Sequence, residues 1–341
     1  MSNADVAPDL TPGCPARACP SAHPQPRGTY DRAVIERADI ERAADVIRGR
    51  LHRTPLLSSQ TLGADVFLKA ELLQRTGSFK PRGVLTKLAS LTAEEKVRGI
   101  IAISAGNHAQ AVAWGAAQEG IDALLVMWRG ASEAKVAATR GYGAAVDQEA
   151  ADPREAFERL DVLLEETGRT LVHPFDDPFT IAGQGTVGLE VLEDLPDVET
   201  IVVPIGGGGL ISGVAVAAAG RARVIGVEPE LSTALHSALA AGERVDVTPT
   251  SIADGLNAPY AGHAALAIAQ EHVEGVVLVS EEEIEDGFRF LYERAKLACE
   301  PAGAAAVAAV LSGKVEGGRT VCIVSGGNVA AETAAAILAR R

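Results

Sequence analysis

The sequence predicts an α/β fold, in which helices cover both faces of a mostly parallel sheet. Helix-like stretches alternate with short β-branched runs, as in "ADIERAADVIRGRL", "VFLKAEL", "GIIAIS", "HAQAVAWGAAQEG" and "ALLVMW". Later runs such as "IVVPI", "RVIGVEP" and "TVCIVS" are apolar without alternation, which is typical of parallel strands buried on both faces. The sequence shows no repeat of fixed period, so a solenoid is not expected. The pattern therefore indicates repeated βαβ units.

The composition is that of a globular chain with a sizeable core. The 341 residues are 47% hydrophobic and 22% charged, which suits one large domain or two closely joined ones. A formal net charge of -14 argues against nucleic-acid or anionic-membrane partners, because those surfaces are bound by clustered Lys and Arg. Neither a membrane span nor a secretory signal is recognisable, so we expect a cytoplasmic protein.

The N-terminal segment differs from the rest of the chain. Residues 1–30 are rich in Pro, Ala and Ser and show no periodicity, which predicts a disordered extension. Cys14 and Cys19 lie in this segment, and Cys299 and Cys322 lie in apolar segments, so the four cysteines do not suggest a disulfide framework. A zinc site at the first pair is disfavoured because it has no partner pair.

Three strands end in polar, glycine-rich turns, which is where open parallel sheets bind ligands. After "IIAIS", the turn places four candidate residues at a helix start: Ser104, Gly106, Asn107 and His108. After "TIVVPI", the successive glycines Gly206–Gly209 can turn their backbone N–H groups inward as a nest for phosphate, although a flexible turn is the alternative. After "TVCIV", the turn "SGGN" begins with Ser325, a weaker signal that a plain turn also explains. Together the turns predict a cleft with a phosphate cradle, an amide and a hydroxyl.

A single lysine supplies the reactive group that this cleft lacks. In "LLQRTGSFKPRGV", Lys80 stands between Phe79 and Pro81, where its solvation would be limited. A lysine whose pKa is lowered by desolvation can condense with an aldehyde. The phosphorylated aromatic aldehyde with a ring nitrogen is pyridoxal 5'-phosphate (PLP). A Walker P-loop is excluded because no Gly-Lys-Ser/Thr follows the glycines, and a Rossmann fingerprint fits poorly because they do not open the first βα unit.

These segments also carry a family resemblance. Together with "HPFDDPFTIAGQGTVGLEV", "VIGVEPE", "IADGLN" and "CEPAGAAAVAAV", their order resembles the PLP-dependent serine/threonine dehydratase family, in the wider group of tryptophan synthase β and serine racemase. The likeness covers roughly residues 40–330 and implies the two-domain fold type II of PLP enzymes. It implies a large PLP-binding domain over residues 31–94 and 171–341, a small mobile domain over residues 95–170, and a homodimer or higher homo-oligomer.

The resemblance also implies roles for individual residues. Lys80 would be the Schiff-base lysine and catalytic base, with Asn107 beside the cofactor's ring oxygen and Ser325 at its pyridine nitrogen. The other implied cofactor contacts are Phe79, Gly206, Gly207, Gly208, Gly209 and Leu210. The substrate's α-carboxylate would meet backbone and side-chain donors of Ser104, Ala105, Gly106, Asn107 and His108. Further candidates near the ring are Gly255 and Glu300, although Glu300 could equally cap the helix that starts at Pro301.

The implied reaction is α,β-elimination of water from L-threonine, L-serine or a related β-hydroxy amino acid, which gives a 2-oxo acid and ammonia. Related serine racemases carry a serine where this chain has Ala105, so efficient racemisation is not expected. Trp128 and Arg129 replace a usual proline-containing turn and leave a bulkier or more acidic substrate open, such as 3-hydroxyaspartate. A cysteine-synthase-type β-replacement enzyme would show a Thr-Ser-Gly-Asn turn, and a non-enzymatic phosphate-binding protein would need no reactive lysine.

Metal binding has little support in the sequence. Glu228 is the only candidate ligand, and a structural carboxylate at a strand end explains it equally well. Ala234 stands where relatives place a second carboxylate, so Mg²⁺ is doubtful while a monovalent cation stays open. Five histidines form no ligand set and are interpreted as surface or turn residues: His52, His173, His236, His263 and His272.

Overall fold

The computed structural model describes residues 35–340, which contain ten strands in two sheets. The strands are β1 (Leu56–Ser58), β2 (Val66–Lys69), β3 (Ile100–Ile103), β4 (Ala123–Trp128), β5 (Ala145–Ala150), β6 (Thr170–Leu171), β7 (Thr200–Pro204), β8 (Arg223–Pro229), β9 (Gly275–Val279) and β10 (Thr320–Ile323). One sheet has the order β1-β2-β10-β7-β8-β9 and is parallel except for the β1–β2 pair. The other is parallel with the order β5-β4-β3-β6. The predicted N-terminal extension, with Cys14 and Cys19, lies outside the described residues.

Thirteen α-helices accompany these strands within residues 35–340. They are α1 (Arg37–Ile47), α2 (Pro81–Ala89), α3 (Ala93–Arg98), α4 (Asn107–Glu119), α5 (Glu133–Gly141), α6 (Pro153–Thr167), α7 (Pro178–Asp194), α8 (Gly209–Ala218), α9 (Ala234–Ala241), α10 (His263–His272), α11 (Glu281–Phe290), α12 (Pro301–Leu311) and α13 (Ala331–Ala339). Local signals set several of the helix starts. Thr92 and Ser280 form capping boxes, and Pro81 and Pro301 occupy first-turn positions that need no N–H donor.

The core packs against both faces of the six-stranded sheet. On one face, Ile201 and Val203 of β7 join an apolar cluster with side chains of α1, α7, α8 and α10. On the other face, Val202 and Cys322 join a cluster with α11 and α12. Helices therefore cover both faces, as the apolar, non-alternating strands predicted, and the α/β assignment is confirmed.

Strand order explains why the polar turns can meet. β10 lies between β2 and β7 and is parallel to both. The carboxyl ends of these three neighbouring strands therefore lie at the same edge of the sheet. From this edge the chain continues toward Lys80 after β2, toward Gly206–Gly209 after β7, and toward Ser325 after β10.

A buried ionic cluster anchors α2 directly behind Lys80. Arg82 is fully buried; its Nε donates to Glu71 Oε2 at 2.8 Å and its Nη1 donates to Glu190 Oε1 at 2.7 Å. Lys69, also fully buried, donates to Glu190 Oε2 at 2.6 Å. The cluster thereby joins the end of β2, helix α2 and helix α7.

Some features differ from the sequence expectation. The run "VFLKAEL" is a strand only as far as Lys69, because the chain then enters a 3₁₀ turn at Glu71–Leu73. β1 and its antiparallel pairing were not foreseen. The residues that the structure describes belong to one compact unit, and the division into residues 31–94 with 171–341 and residues 95–170 stays a prediction. Within residues 35–340, no helix combines the length and hydropathy needed to cross a membrane.

Candidate active site

Backbone contacts join the turn that carries Lys80 to the end of β10. Ser78 forms an antiparallel bridge with Gly326, and Phe79 N donates to Ser325 O at 3.1 Å. Pro81 then starts α2, so Lys80 is held between a backbone bridge and a rigid helix start. The structure thus brings Lys80, Phe79 and Ser325 together, and their roles toward a cofactor stay a prediction. Ser325 itself is 4% exposed.

The Lys80 amine lies in a partly apolar environment. Its Nζ donates to Pro174 O at 3.0 Å and lies 5.1 Å from the centroid of the Phe79 ring. Burial lowers the pKa of Lys80 to about 8, while the nearby Glu300 charge acts in the opposite direction. A substantial fraction of neutral amine is therefore available near neutral pH, which is the form that attacks aldehydes.

The glycine loop lies next to the segment that receives the Lys80 amine. A Cβ atom at Gly207 would come within 2.3 Å of Phe175 Cγ, so only glycine lets Phe175 pack this closely. Pro174 and Phe175, which the sequence reasoning missed, therefore connect Lys80 to the loop. The signal for them was the segment "HPFDDP", in which Pro174 and Phe175 themselves carry no titratable group.

The loop leaves backbone donors at the start of α8. Gly208 has a φ of +94°, and the first turn is closed by Ser212 N donating to Gly208 O at 3.0 Å. The N–H groups of Gly209, Leu210 and Ile211 precede this bond and have no carbonyl one turn earlier to donate to. Such a helix N-terminus is suited to a phosphate group, and the loop therefore fits the cofactor that the sequence implied.

The turn after β3 leads into α4. Ser104 Oγ accepts a hydrogen bond from Gly106 N at 3.1 Å, and Ala105 and Asn107 are partly exposed. His108 is different, because it is 3% exposed and its Nε2 donates to Val172 O at 2.8 Å. Burial lowers the pKa of His108 to about 3, so the ring is neutral. The ring N–H already donates within the protein. Of the donors predicted at His108, only the backbone N–H is therefore left for a substrate.

The Glu300 side chain contacts Asn107 and does not cap a helix. It occupies the position before Pro301, yet its side chain makes no capping hydrogen bond. Instead its Oε1 accepts a hydrogen bond from Asn107 Nδ2 at 2.6 Å. Burial raises the pKa of Glu300 to about 7. Gly255 lies nearby, since a Cβ atom at that position would be 3.8 Å from Glu300 Oε1.

Asn328 was missed, although it is the last letter of the turn "SGGN". Its Nδ2 donates to Asn107 Oδ1 at 2.8 Å and to Thr76 O at 2.7 Å. An ion pair between Lys135 of α5 and Asp254 of a 3₁₀ turn was also missed. Neither contact could be inferred from spacing, because the partners lie more than a hundred residues apart.

The candidate metal ligand Glu228 has a structural role. It is fully buried, and its two oxygens accept hydrogen bonds from Leu235 N and His236 N, both at 2.8 Å. These bonds cap the start of α9. Among residues 35–340, no group of three or more His, Cys, Asp or Glu side chains is placed to hold a metal ion.

The remaining candidates have ordinary surroundings. His52, His236 and His263 are exposed, and His272 is partly exposed. His173 is a turn residue whose Nδ1 accepts hydrogen bonds from Phe175 N and Asp176 N. Trp128, the last residue of β4, packs against the apolar cluster around Leu160, whereas Arg129 in the following turn is exposed.

Known proteins resemble this chain over most of its length. Residues 47–326 match the family model described as "Pyridoxal-phosphate dependent enzyme". L-threonine ammonia-lyase of Thermotoga maritima is 46% identical over 306 residues, which are 87% of this chain and 76% of the relative. L-threonine dehydratase catabolic TdcB of Escherichia coli K12 is 43% identical over 313 residues, covering 88% of this chain and 95% of the relative.

Solved structures resemble the fold. Maize serine racemase superposes with a TM-score of 0.84 at 36% identity, covering 89% of this chain and 96% of the racemase. The processed form of threonine deaminase isoform 2 from Solanum lycopersicum superposes with a TM-score of 0.82 at 32% identity, covering 89% of this chain and 92% of the deaminase. The fold type II expectation is confirmed. The chain therefore belongs to the family of pyridoxal-phosphate dependent enzymes.

Proposed function

We propose that this protein is a PLP-dependent ammonia-lyase that removes water from L-threonine or L-serine and releases a 2-oxo acid and ammonia. The observation that carries the proposal is Lys80, a lysine with a pKa of about 8 whose amine donates to Pro174 O beside the glycine loop. Relatives that are 43% and 46% identical are named for this reaction on threonine. A phosphate-binding protein without enzymatic activity would have no use for such an amine.

The residues present fit the cofactor. Lys80 would bind its aldehyde carbon, and the N–H groups of Gly206–Gly209 and Leu210 would hold its phosphate. Asn107 would donate to its ring oxygen, Ser325 would face its ring nitrogen, and Phe79 would pack beside it. A serine hydroxyl carries no charge, so it would leave the pyridine nitrogen largely unprotonated. That environment favours prompt elimination over transamination.

The protein's own groups would move the protons. Bound PLP supplies a conjugated ring that accepts the negative charge that develops at the substrate's Cα. The turn from Ser104 to Asn107 would hold the substrate carboxylate through backbone N–H groups and hydroxyl. Lys80 would be the base that takes the Cα proton. Its lowered pKa lets it serve as a base near neutral pH.

A racemase is the second candidate, because serine racemase is among the structural neighbours. Racemisation needs a proton donor on the face of the substrate opposite Lys80. By the family resemblance, a serine at the position of Ala105 would supply that donor, and a methyl group cannot deliver a proton. The side chain at this position therefore favours elimination.

We also propose that residues 95–170 form a small lobe that moves toward the rest of the chain when substrate binds. The Lys135–Asp254 ion pair supports a contact on which this lobe would close, because it joins α5, which follows β4 of the four-stranded sheet, to a turn between β8 and β9 of the six-stranded sheet. We further propose that the protein forms a homodimer and that it is located in the cytoplasm. Light scattering of the purified enzyme would measure the oligomer, and a monomer would contradict the dimer.

The function is tested by a substrate screen. The purified enzyme is incubated with L-threonine, L-serine and 3-hydroxyaspartate, and the release of 2-oxo acid and ammonia is measured together with the yellow colour of bound PLP. We expect turnover of threonine or serine, and we expect Lys80→Ala to abolish both turnover and the bound colour. An active Lys80→Ala enzyme would refute the mechanism. A colourless wild-type protein that stays colourless after addition of PLP would refute the cofactor assignment.

A further inference from the structure

A chain of side-chain hydrogen bonds starts at a backbone carbonyl and ends at the predicted cofactor site. Thr76 O accepts from Asn328 Nδ2 at 2.7 Å, and the same Nδ2 donates to Asn107 Oδ1 at 2.8 Å. Asn107 Nδ2 then donates to Glu300 Oε1 at 2.6 Å. These hydrogen bonds therefore link four separate segments of the sequence.

The carbonyl at the start determines the orientation of both amides. A backbone carbonyl only accepts, so the end of Asn328 that faces Thr76 O must be its NH₂ group. That NH₂ has a second hydrogen, so the end of Asn107 that faces it must be the oxygen. The NH₂ group of Asn107 is thereby turned to the other side, toward the carboxyl group of Glu300. With Asn107 reversed, two NH₂ groups would face each other and Glu300 would face an oxygen.

Two glycines leave room for this series of hydrogen bonds. A Cβ atom at Gly77 would lie 2.5 Å from Asn328 Oδ1, and one at Gly326 would lie 2.2 Å from Glu300 Oε1. Both distances are far below van der Waals contact. Each end of this series of hydrogen bonds therefore depends on a neighbouring glycine, one in "TGS" and one in "SGGN".

Backbone strain is located at the carbonyl that starts the chain. Thr76 has a φ of +59°, a conformation that is unfavourable for a β-branched residue. Outliers of this kind persist where the surrounding structure enforces them, and they cluster at functional sites. Here the conformation belongs to the turn that carries Thr76 O toward Asn328 and, four residues later, Lys80.

One donor of Asn107 is left over. Its NH₂ group has two hydrogens, and among residues 35–340 Glu300 Oε1 is the acceptor for only one of them. A ring oxygen that carries negative charge is the kind of group that this second N–H would stabilise. The reversed amide would place an oxygen there and repel the same charge.

We propose that Asn328 is a positioning residue, which orients the Asn107 amide so that its N–H group, not its oxygen, faces the ring oxygen of the cofactor. This inference rests on the proposed function, because it assumes that PLP binds beside Asn107. Asn328 acts through Asn107 and does not itself contact the cofactor. Glu300 completes the chain by accepting the other hydrogen of the same NH₂ group.

The test measures the affinity of the apoenzyme for PLP, from the visible absorbance during titration, in a double-mutant cycle. We expect Asn328→Ala to weaken PLP binding about tenfold to a hundredfold, the range for a hydrogen bond to a charged group. Asn107→Ala should lose at least as much. If Asn328 acts through Asn107, the double variant should bind PLP within about twofold of Asn107→Ala alone. Losses that multiply in the double variant would overturn the proposal.

Asn328→Leu provides a second variant of nearly the same size that adds no charge. It removes the NH₂ group that fixes the orientation of the Asn107 amide, so we expect PLP binding to weaken as in Asn328→Ala. In the Asn107→Ala background this loss should vanish, and its persistence would contradict the orientation mechanism. The variant also keeps the test available where Asn328→Ala does not fold.

Gln148→Ala is the control. Gln148 also uses its amide in a hydrogen bond, accepting from Arg140 at 3.1 Å, but it lies on β5, an edge strand of the four-stranded sheet. We expect unchanged PLP affinity for this variant. An Asn328→Ala enzyme that binds PLP as tightly as the wild type would overturn the inference alone. Wild-type enzyme that takes up no PLP would overturn the proposed function as well.

Discussion

The lowered pKa of Lys80 predicts a pH dependence that can be measured without substrate. Burial lowers this pKa from 10.5 to about 8. At pH 7 roughly 9% of the amine would then be neutral, compared with roughly 0.03% of an unperturbed lysine. Because only the neutral amine attacks an aldehyde, this difference alone should make Lys80 roughly 300-fold more reactive than a lysine with an ordinary pKa.

The assay follows the modification of individual lysines in the apoenzyme. The protein is exposed to short pulses of PLP from about pH 7 to about pH 10, the adducts are reduced with borohydride, and the peptides are quantified by mass spectrometry. The rate at Lys80 should reach half its maximum near pH 8. Exposed lysines such as Lys296 supply the reference in the same digest.

Glu300→Gln tests what sets the pH at which Lys80 is modified at half its maximal rate. The Glu300 charge raises the pKa of Lys80 against the effect of burial, so its removal should move the midpoint below the wild-type value. A Lys80 rate that climbs in parallel with the exposed lysines up to pH 10 would refute the reasoning. So would a midpoint that rises in the Glu300→Gln variant.

Three other predictions concern catalysis and stability. Ala105→Ser should raise racemisation relative to elimination on the order of a hundredfold, measured by chiral analysis of recovered substrate, and an unchanged ratio would reject the role given to Ala105. Arg82→Met should lower the free energy of unfolding by about 3–5 kcal/mol in denaturant titrations, because it leaves the buried Glu71 carboxylate without its cation. Arg319→Met, at an exposed pair with Asp197, should change the free energy of unfolding little. Equal losses would contradict the structural role of the buried cluster. Glu300 has its pKa raised by burial from 4.5 to about 7, so its contribution to stability is present below pH 4.5 and is lost as the pH rises through about 7. Glu300→Gln should therefore flatten the fall in stability over that window by on the order of 1–3 kcal/mol, and an unchanged slope would argue against a buried, titrating carboxyl group.

The sequence predicted those parts of the site whose chemistry is local. Lys80 beside an aromatic ring and a proline, four glycines before a helix, and a serine after a buried strand each combine residue type and position within a few residues. Strand periodicity predicted the α/β class, and parallel strands place their carboxyl ends on one edge. Sequence reasoning therefore indicated that Lys80, Gly206–Gly209 and Ser325 would converge, and the order β2-β10-β7 provides the physical basis.

Side-chain direction could not be predicted in the same way. Glu300 precedes a proline at a helix start, which locally favours a cap, but Asn107 from another sheet competes for its carboxyl group. His108 follows Asn107 directly, yet its ring turns inward to Val172 O. In both cases the deciding partner is distant in sequence, 193 and 64 residues away. Residue type and spacing contain no information about such partners.

Asn107 also constrains how the predicted small lobe could move. It is the only predicted cofactor contact that follows a strand of the four-stranded sheet, whereas Lys80, Gly206–Gly209 and Ser325 all follow strands of the six-stranded sheet. Its amide is nevertheless bonded at both ends to residues beside the six-stranded sheet, Glu300 and Asn328. A motion of residues 95–170 that carried Asn107 away would break both bonds and expose a buried carboxyl group. The lobe should therefore pivot near the Asn107 turn, so that substrate entry opens peripheral contacts while the amide keeps its place.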